Sequence, residues 1–513
     1  MIYFCELISA RLDWSDTRGI NLQQSRSPEK LNEGVVGGFF QSISGRGELK
    51  ALGFFFLALA VRLVYLFLVV PVDWVGDSYH HWQVAWFTLN IGLGQGRLWD
   101  LKGVEYYWPP LPSLFEAFLM WLFRSPSIML IRLANVVVGA TSVAVSYFVG
   151  RWFDEGVGVS TAAALVFFPL TLNCEVLGLH EPLMVLFALY GVLMFLSGRD
   201  FYSGLFLGLS YLCHFTVYLM APILLLLYIR GRSLERGLAF FIGFGLVYVP
   251  YAFVLLSHTG DALYNIRTMI KFMGISTAHM EHPLALGIGL GLFLISIAPL
   301  RILRGKASRG VHLVAALLSV YSTFWGVLLV FVGAPLGPYE MRYYSIFLVV
   351  VILALVLCLD TRMTMRRCYM LAGVRIRGHT VLVGFVSALL LVSMSPAFSA
   401  LQAPILERFR VADKLGGLYE GGTIISPVPD MTYRLTDRWR IPPQMILGPI
   451  YCPVDWVGKL DWLRVNNVTL IFWLDGFEAD RVFPELATGT DVPPFYLAEK
   501  LSYSRYVYAV RLD

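Results

Sequence analysis

The sequence predicts a polytopic α-helical membrane protein that carries a small α/β domain outside the membrane at its C-terminal end. Three observations lead there. The 513 residues are 57% hydrophobic and only 15% charged, with a mean hydropathy of +0.66; a soluble chain of this size carries roughly 25% charged residues. Long apolar runs alternate with short basic loops. After residue 396 the composition shifts, and Asp, Glu, Lys and Arg return among short β-type runs. Helices satisfy their backbone groups in lipid without a closed barrel.

Residues 1–50 are polar and weakly patterned, with no apolar core ahead of a cleavage site, so they read as a disordered cytoplasmic tail or as an overextended start. The transmembrane domain spans 51–396. Its apolar segments are Ala51–Val70, Leu111–Phe123, Ile128–Val149, Val157–Leu172, Pro182–Leu196, Phe201–Phe215, Val217–Ile229, Gly237–Leu256, Leu284–Leu300, Val311–Val332, Tyr343–Leu359 and Gly378–Met394. A span needs roughly 20 residues. Leu111–Phe123 is too short and follows Pro109-Pro110, so it reads as a juxtamembrane or re-entrant helix. Phe201–Phe215 and Val217–Ile229 read as two thin spans with a turn near His214–Thr216. About eleven spans result.

Charge sets the orientation. With the N-terminus cytoplasmic, the inside loops carry Arg151, Arg199, Arg230, Arg232, Arg236, Arg301, Arg304, Lys306, Arg309, Arg362, Arg366, Arg367, Arg375 and Arg377. The outside loops hold only Arg97, Lys102, Arg124, Arg267, Lys271 and Arg342, as the positive-inside rule expects. Counting Leu111–Phe123 as a span would destroy this asymmetry. Most histidines and many carboxylates then gather outside: Asp77, His80, His81, Glu105, Glu175, His180, Glu181, His214, His258, Asp261, His279, Glu281, His282 and Glu340. Residues 397–513 also fall outside. There Leu406–Leu418 reads as a helix, and Thr423–Ser426, Val468–Trp473 and Tyr506–Leu512 as strands. Asn467-Val468-Thr469 is a glycosylation sequon.

The net charge of +5 is no nucleic-acid footprint, because the basic residues sit in loops between spans. The six cysteines show no metal-binding spacing and read as packing thiols, with a bridge at Cys452 left open. Arg62 and Arg132 lie within or near spans and are expected to face the bundle interior or to snorkel.

The outer loop 72–127 is the richest in chemistry. Asp77 follows Gly76 where the first span ends. Its carboxylate either caps the helix Ser78–Gly92 or acts as a general base, and the two roles can coexist. His80 and His81 point about 100° apart on a helix, so they are not an i,i+4 ligand pair. They are polar interface residues or, with His180 or Glu181, part of a metal site. Tyr107 and Trp108 fit an interfacial belt or a stacking surface for a sugar. Pro109, Pro110 and Pro112 set a rigid turn. Glu181-Pro182 opens a span, as a helix start or as a second carboxylate for the site. Arg342 breaks the charge rule at an outer end, where it either pairs with Glu340 or grips a phosphate.

Gly76-Asp77-Ser78, Trp108-Pro109-Pro110-Leu111, Glu181-Pro182 and Arg342-Tyr343, in this order and on one side, resemble the motifs of the GT-C superfamily. The resemblance is nearest to its dolichyl-phosphate-mannose protein mannosyltransferase and aminoarabinose transferase branch. It covers about residues 50–400, with a soluble tail beyond. Ser78 stands where that branch has a second acid, and Trp108 where it has a His. No Trp-Trp-Asp-Tyr-Gly signature is present, which argues against an oligosaccharyltransferase catalytic subunit.

The resemblance implies an inverting transfer of sugar from a polyprenyl- or dolichyl-phosphate carrier to a lipid, glycan or protein acceptor. Asp77 and Glu181 would be catalytic, and Arg342 and His214 would bind the donor phosphate. His80, His81, Tyr107, Trp108 and His180 would contact substrate. A divalent metal remains open. A transporter or flippase, or a non-catalytic membrane subunit with an outer binding domain, are the alternatives. A transporter tends to carry midplane charges and internal repeats, and the sequence shows neither.

Overall fold

The computed structural model describes residues 46–92, 108–231, 233–268, 309–327, 344–361, 368–371, 374–426, 428–449, 452–474, 481–502 and 505–511, with single positions between 288 and 296. Tyr107, Arg342, residues 1–45 and most of Leu284–Leu300 lie outside the described residues. Two compact units form. One holds Met1–Val64, Val136–Glu175 and Glu181–Ser395; the other holds Tyr65–Asn135, Val176–His180 and Pro396–Asp513.

Among the described residues, five helices are long and apolar enough to cross a membrane. They are Gly47–Leu68, Ile128–Arg151, Leu234–Thr259, Gly310–Val327 and the stretch beginning at Gly378. The expected run Val157–Leu172 is a bent pair instead. Glu155–Phe167 and Pro169–Glu175 meet at 63°, because Pro169 cannot continue the first helix. Pro110–Phe123, Glu181–Leu196, Met220–Arg230 and Ser345–Leu359 are shorter apolar helices. Asp200–Tyr211 has 12 residues and Met220–Arg230 has 11, both short of the roughly 20 needed to span. The chain unwinds between them into a short 3-10 turn at Phe215–Val217, near the expected turn.

In the first unit, Asp200–Tyr211 crosses Leu234–Thr259 at glycines. A Cβ on Gly204 would meet the Phe240 carbonyl oxygen at 1.9 Å, and one on Gly243 the Phe201 oxygen at 2.0 Å. Small residues let helix backbones approach this closely in membranes. The buried charge here is paired. Arg62 Nε donates to Glu175 Oε2 at 2.8 Å, and its Nη2 donates to the same oxygen. Gly139 leaves the room that the Glu175 side chain fills. Arg62 thus faces the interior of its unit rather than snorkelling. Strands β1 (Cys368–Leu371) and β2 (Val374–Arg377) form an antiparallel hairpin.

The second unit carries a five-stranded sheet. Its strands are β3 (Thr423–Ile425), β4 (Ile446–Leu447), β5 (Val468–Leu474), β6 (Phe495–Ser502) and β7 (Arg505–Val510), in the order β4-β3-β5-β7-β6. The β3 strand is parallel to β4 and β5, and β7 is antiparallel to β5 and β6. Both faces are covered, so β5 reads as a continuous apolar run. Leu470, Phe472 and Leu474 pack with Val411, Leu415, Met431 and Leu435 on one face. Ile471 and Trp473 pack with Leu463, Phe483 and Leu486 on the other. Gly421 and Gly422 take φ of +123° and +83° at the entry to β3, a region open to glycine.

The expected helix Leu406–Leu418 is Ala403–Leu418, and the three expected strands fall within two residues of their places. Cys452 is a buried free thiol, not a bridge. Burial pushes it up to about 12, with Lys459 pulling down and Glu485 and Asp455 pushing up. Asn467 of the sequon is exposed.

Candidate functional site

The second unit builds its site from two loops that leave apolar segments. The first span ends by Val69 and Val70, whose amides both donate to the Tyr65 carbonyl. Residues 71–75 then run without a helix, and a new helix occupies Gly76–Phe87. Its cap is Val75, in extended conformation with no side-chain hydrogen bond. Asp77 is therefore not the cap expected for a helix Ser78–Gly92. It lies inside the first turn, where a carboxylate still meets the positive end of the helix dipole. The α-helix also stops at Phe87 and continues as a π-helical turn over Thr88–Gly92.

Asp73 ties the two loops together. Its Oδ1 accepts from Val75 N at 3.0 Å, and its Oδ2 accepts from Gly178 N at 2.7 Å. Burial pushes this carboxyl above its usual range, against the pull of Arg132 and of both amides. Arg132 donates from Nε to Val176 O and from Nη1 to Pro71 O, both at 2.8 Å, and from Nη2 to Val70 O. Asn135 Nδ2 reaches Leu177 O at 2.7 Å and Leu179 O at 2.8 Å. Tyr79 donates its hydroxyl to Asp73 O at 2.9 Å. Buried carbonyls are costly without donors. Arg132 and Asn135 supply five of them to segments with no ladder of their own.

The histidines meet across this junction. His81 and His180 stack with ring centroids 3.5 Å apart and planes at 23°. The Trp108 ring stands nearly perpendicular to that of His81, with centroids 5.2 Å apart and planes at 85°. His180 Nε2 lies 3.6 Å from Glu116 Oε1, on the helix Pro110–Phe123. The His80 ring centroid lies 6.2 Å from that of His81, with the planes tilted by 53°. His81 is four residues after Asp77, so both lie on one face of their helix. The same helix is held from behind: Trp82 and Tyr79 pack on Tyr433, with centroids at 5.1 and 5.4 Å.

Glu181 and His214 come together in the first unit. His214 Nε2 is 3.8 Å from Glu181 Oε1. Its Nδ1 accepts from Thr216 N at 3.3 Å, which leaves Nε2 to carry the proton on the side of Glu181. Thr216 O in turn accepts from the Tyr321 hydroxyl at 2.9 Å. Glu181 and Glu175 both line a small, mostly apolar pocket with Ser142, Thr171 and Ser345. Among the described residues, no three His, Cys, Asp or Glu side chains are placed to hold a metal ion.

Of the residues singled out in the sequence, His81, His180 and Trp108 thus form one cluster, and Glu181 and His214 form a pair. Tyr107 and Arg342 lie outside the described residues. Sequence reasoning missed Asp73, Asn135 and Glu116. Glu116 had a readable signal: it is the one carboxylate in an apolar helix, and such a residue is costly to bury.

No family model matches the sequence, and no curated protein matches it. Solved structures do. ArnT from Cupriavidus metallidurans in the apo state is 13% identical, with a TM-score of 0.57 over 90% of this chain and 98% of that one. The same protein bound to undecaprenyl phosphate gives 12% identity and a TM-score of 0.57 over 90% and 97%. The Archaeoglobus fulgidus oligosaccharyltransferase, tethered with an acceptor peptide containing the NVT sequon, is 13% identical, with a TM-score of 0.53 over 93% and 75%. The chain shares the fold of both proteins, as the resemblance of its motifs led one to expect.

Proposed function

We propose that the chain is an integral-membrane glycosyltransferase that takes a sugar from a polyprenyl- or dolichyl-phosphate carrier. It works on the extracytoplasmic face, with the N-terminus cytoplasmic and residues 397–513 outside. The observation that carries this reading is the shared fold over nine-tenths of the chain, since one of the similar structures holds undecaprenyl phosphate. The loop geometry supports it: a carboxylate, two stacked imidazoles and an indole gather where the chain leaves an apolar helix.

In this reaction Asp77 accepts the proton of the acceptor hydroxyl or amine. The acceptor atom attacks C1 of the sugar, the bond from C1 to the phosphate oxygen breaks, and the configuration inverts. The lipid phosphate departs with the bonding pair. Arg342 and the Nε2–H of His214 stabilise its charge, and Glu181 favours that tautomer of His214. Phosphate is a competent leaving group, so positioning and one base are the main requirements. His80, His81, Tyr107, Trp108 and His180 contact the sugar or the acceptor.

The test is sugar transfer from a panel of polyprenyl-phosphate monosaccharides by detergent-purified protein, wild type beside Asp77→Asn. Transfer that disappears in the variant is expected; near-normal turnover in Asp77→Asn would remove Asp77 from the role of base.

A further inference from the structure

Glu116 is 3% exposed on a helix otherwise built of Pro, Leu, Phe, Ala, Met, Trp and Ser. Packing does not call for a carboxylate there, because apolar residues of similar volume often replace buried ion pairs at no cost. Its Oε1 faces His180 Nε2 at 3.6 Å, and its Oε2 has no hydrogen-bond partner among the described residues. His180 is itself 1% exposed. A buried carboxylate beside a buried imidazole is tolerated when the two share one proton and stay neutral as a pair.

We propose that Glu116 is a positioning residue that acts through His180: the carboxylate and imidazole share one proton and hold the His180 ring in the single arrangement in which it stacks on His81, on the Asp77 face of the loop helix. The shared proton sits between Oε1 and Nε2, and Nδ1 keeps its own N–H, which leaves the pair neutral overall and makes Nδ1 a donor. The distance is an ion-pair distance, longer than a hydrogen bond, and contacts of this kind tighten when substrate fills a site. The His180 ring then has one orientation in place of two, and the His81 ring lies flat against it. The imidazole stack and the Trp108 ring set against it form a firm wall for the sugar or the acceptor. The role in transfer rests on the glycosyltransferase reading; the shared proton does not.

The experiment uses full-length protein with 15N-labelled histidine in detergent, as wild type, Glu116→Gln and Glu116→Asp. The His180 resonances are identified by their loss in His180→Gln. The same preparations are assayed for transfer from polyprenyl-phosphate sugars, and their thermal midpoints are compared. In Glu116→Gln the Nε2 resonance of His180 is expected to move. The kcat is expected to fall about tenfold to a hundredfold, part of what a general acid–base group contributes, with KM changed less than about twofold. Glu116→Asp should restore part of both.

A His180 resonance identical in wild type and Glu116→Gln would overturn the proposal, whatever the activity. So would a moved resonance with kcat unchanged. A moved resonance in a wild-type background that transfers no sugar would uphold the shared proton and overturn the transferase reading instead.

Discussion

Replacing Arg132 by Met tests whether one side chain holds the two site loops together. Arg132 donates to the carbonyls of Val70, Pro71 and Val176 and sits within the electrostatic reach of buried Asp73. A hydrogen bond from a charged donor contributes about 1.5–3 kcal/mol net. Three such bonds would sum to more, but the loops relax and water reaches part of the gap. Removing one partner of a buried charge pair costs about 3–5 kcal/mol, and the same range is expected here. At roughly 2–4 °C per kcal/mol for a unit of this size, the thermal midpoint should fall by about 6–20 °C. Thermal unfolding of detergent-purified Arg132→Met beside wild type measures it. Arg132→Lys keeps the charge but cannot reach three carbonyls at once, so it should fall between the two. A loss below about 1 kcal/mol in Arg132→Met would refute the reasoning, because exposed side chains lose no more than that.

Three further outcomes follow from the packing. Arg62→Leu and Glu175→Leu should each cost about 3–5 kcal/mol, and the double variant much less than the sum, since neither charge is then left alone; additive losses in thermal unfolding would contradict the pairing. Gly204→Val should cost at least about 1–3 kcal/mol by forcing its helix away from Phe240, and a neutral midpoint would show that the helices are not in close contact. At Asp413, burial alone would push the carboxyl up. Hydrogen bonds from Arg434 and Trp439, with the charges of Arg434 and Arg438, more than offset it and hold it below the usual range. Its folded value is therefore lower than the unfolded value of about 3.9, so its stabilisation is complete above that pH and fades as pH falls through the folded value. The gap in midpoint between wild type and Asp413→Asn should be constant above about pH 5 and shrink below about pH 4; a gap unchanged down to about pH 2.5 would contradict it.

Much of the fold is legible in local sequence. The apolar runs and the return of charge after residue 396 mark the helices and the α/β tail, and the short unbroken apolar run Leu470–Leu474 marks its central strand. Pro109-Pro110 marks the short helix that carries Glu116. The breaks were harder. Pro169 divides one expected span into a bent pair, and the backbone unwinds near His214 because that ring accepts a nearby amide, which hydropathy does not register.

The site was legible only in part, for a physical reason. His81, His180 and Trp108 stand out as polar and aromatic residues at the ends of apolar runs. What joins them is long-range: Asp73 reaches Gly178 over 105 residues, and Arg132 reaches Val176 over 44. No local pattern encodes those partners. Glu116 is the instructive omission. The rule that made Arg62 and Arg132 suspicious, a charge in an apolar helix, applies to it unchanged.

The central claim is that this fold transfers sugar from a lipid phosphate with Asp77 as the base. The most direct measurement is turnover of polyprenyl-phosphate sugars by purified wild-type and Asp77→Asn protein of equal thermal stability. The account predicts transfer by the first and none by the second. Transfer undiminished in Asp77→Asn would contradict the assigned base. No transfer by folded, lipid-bound wild type across the donor panel would contradict the claim itself.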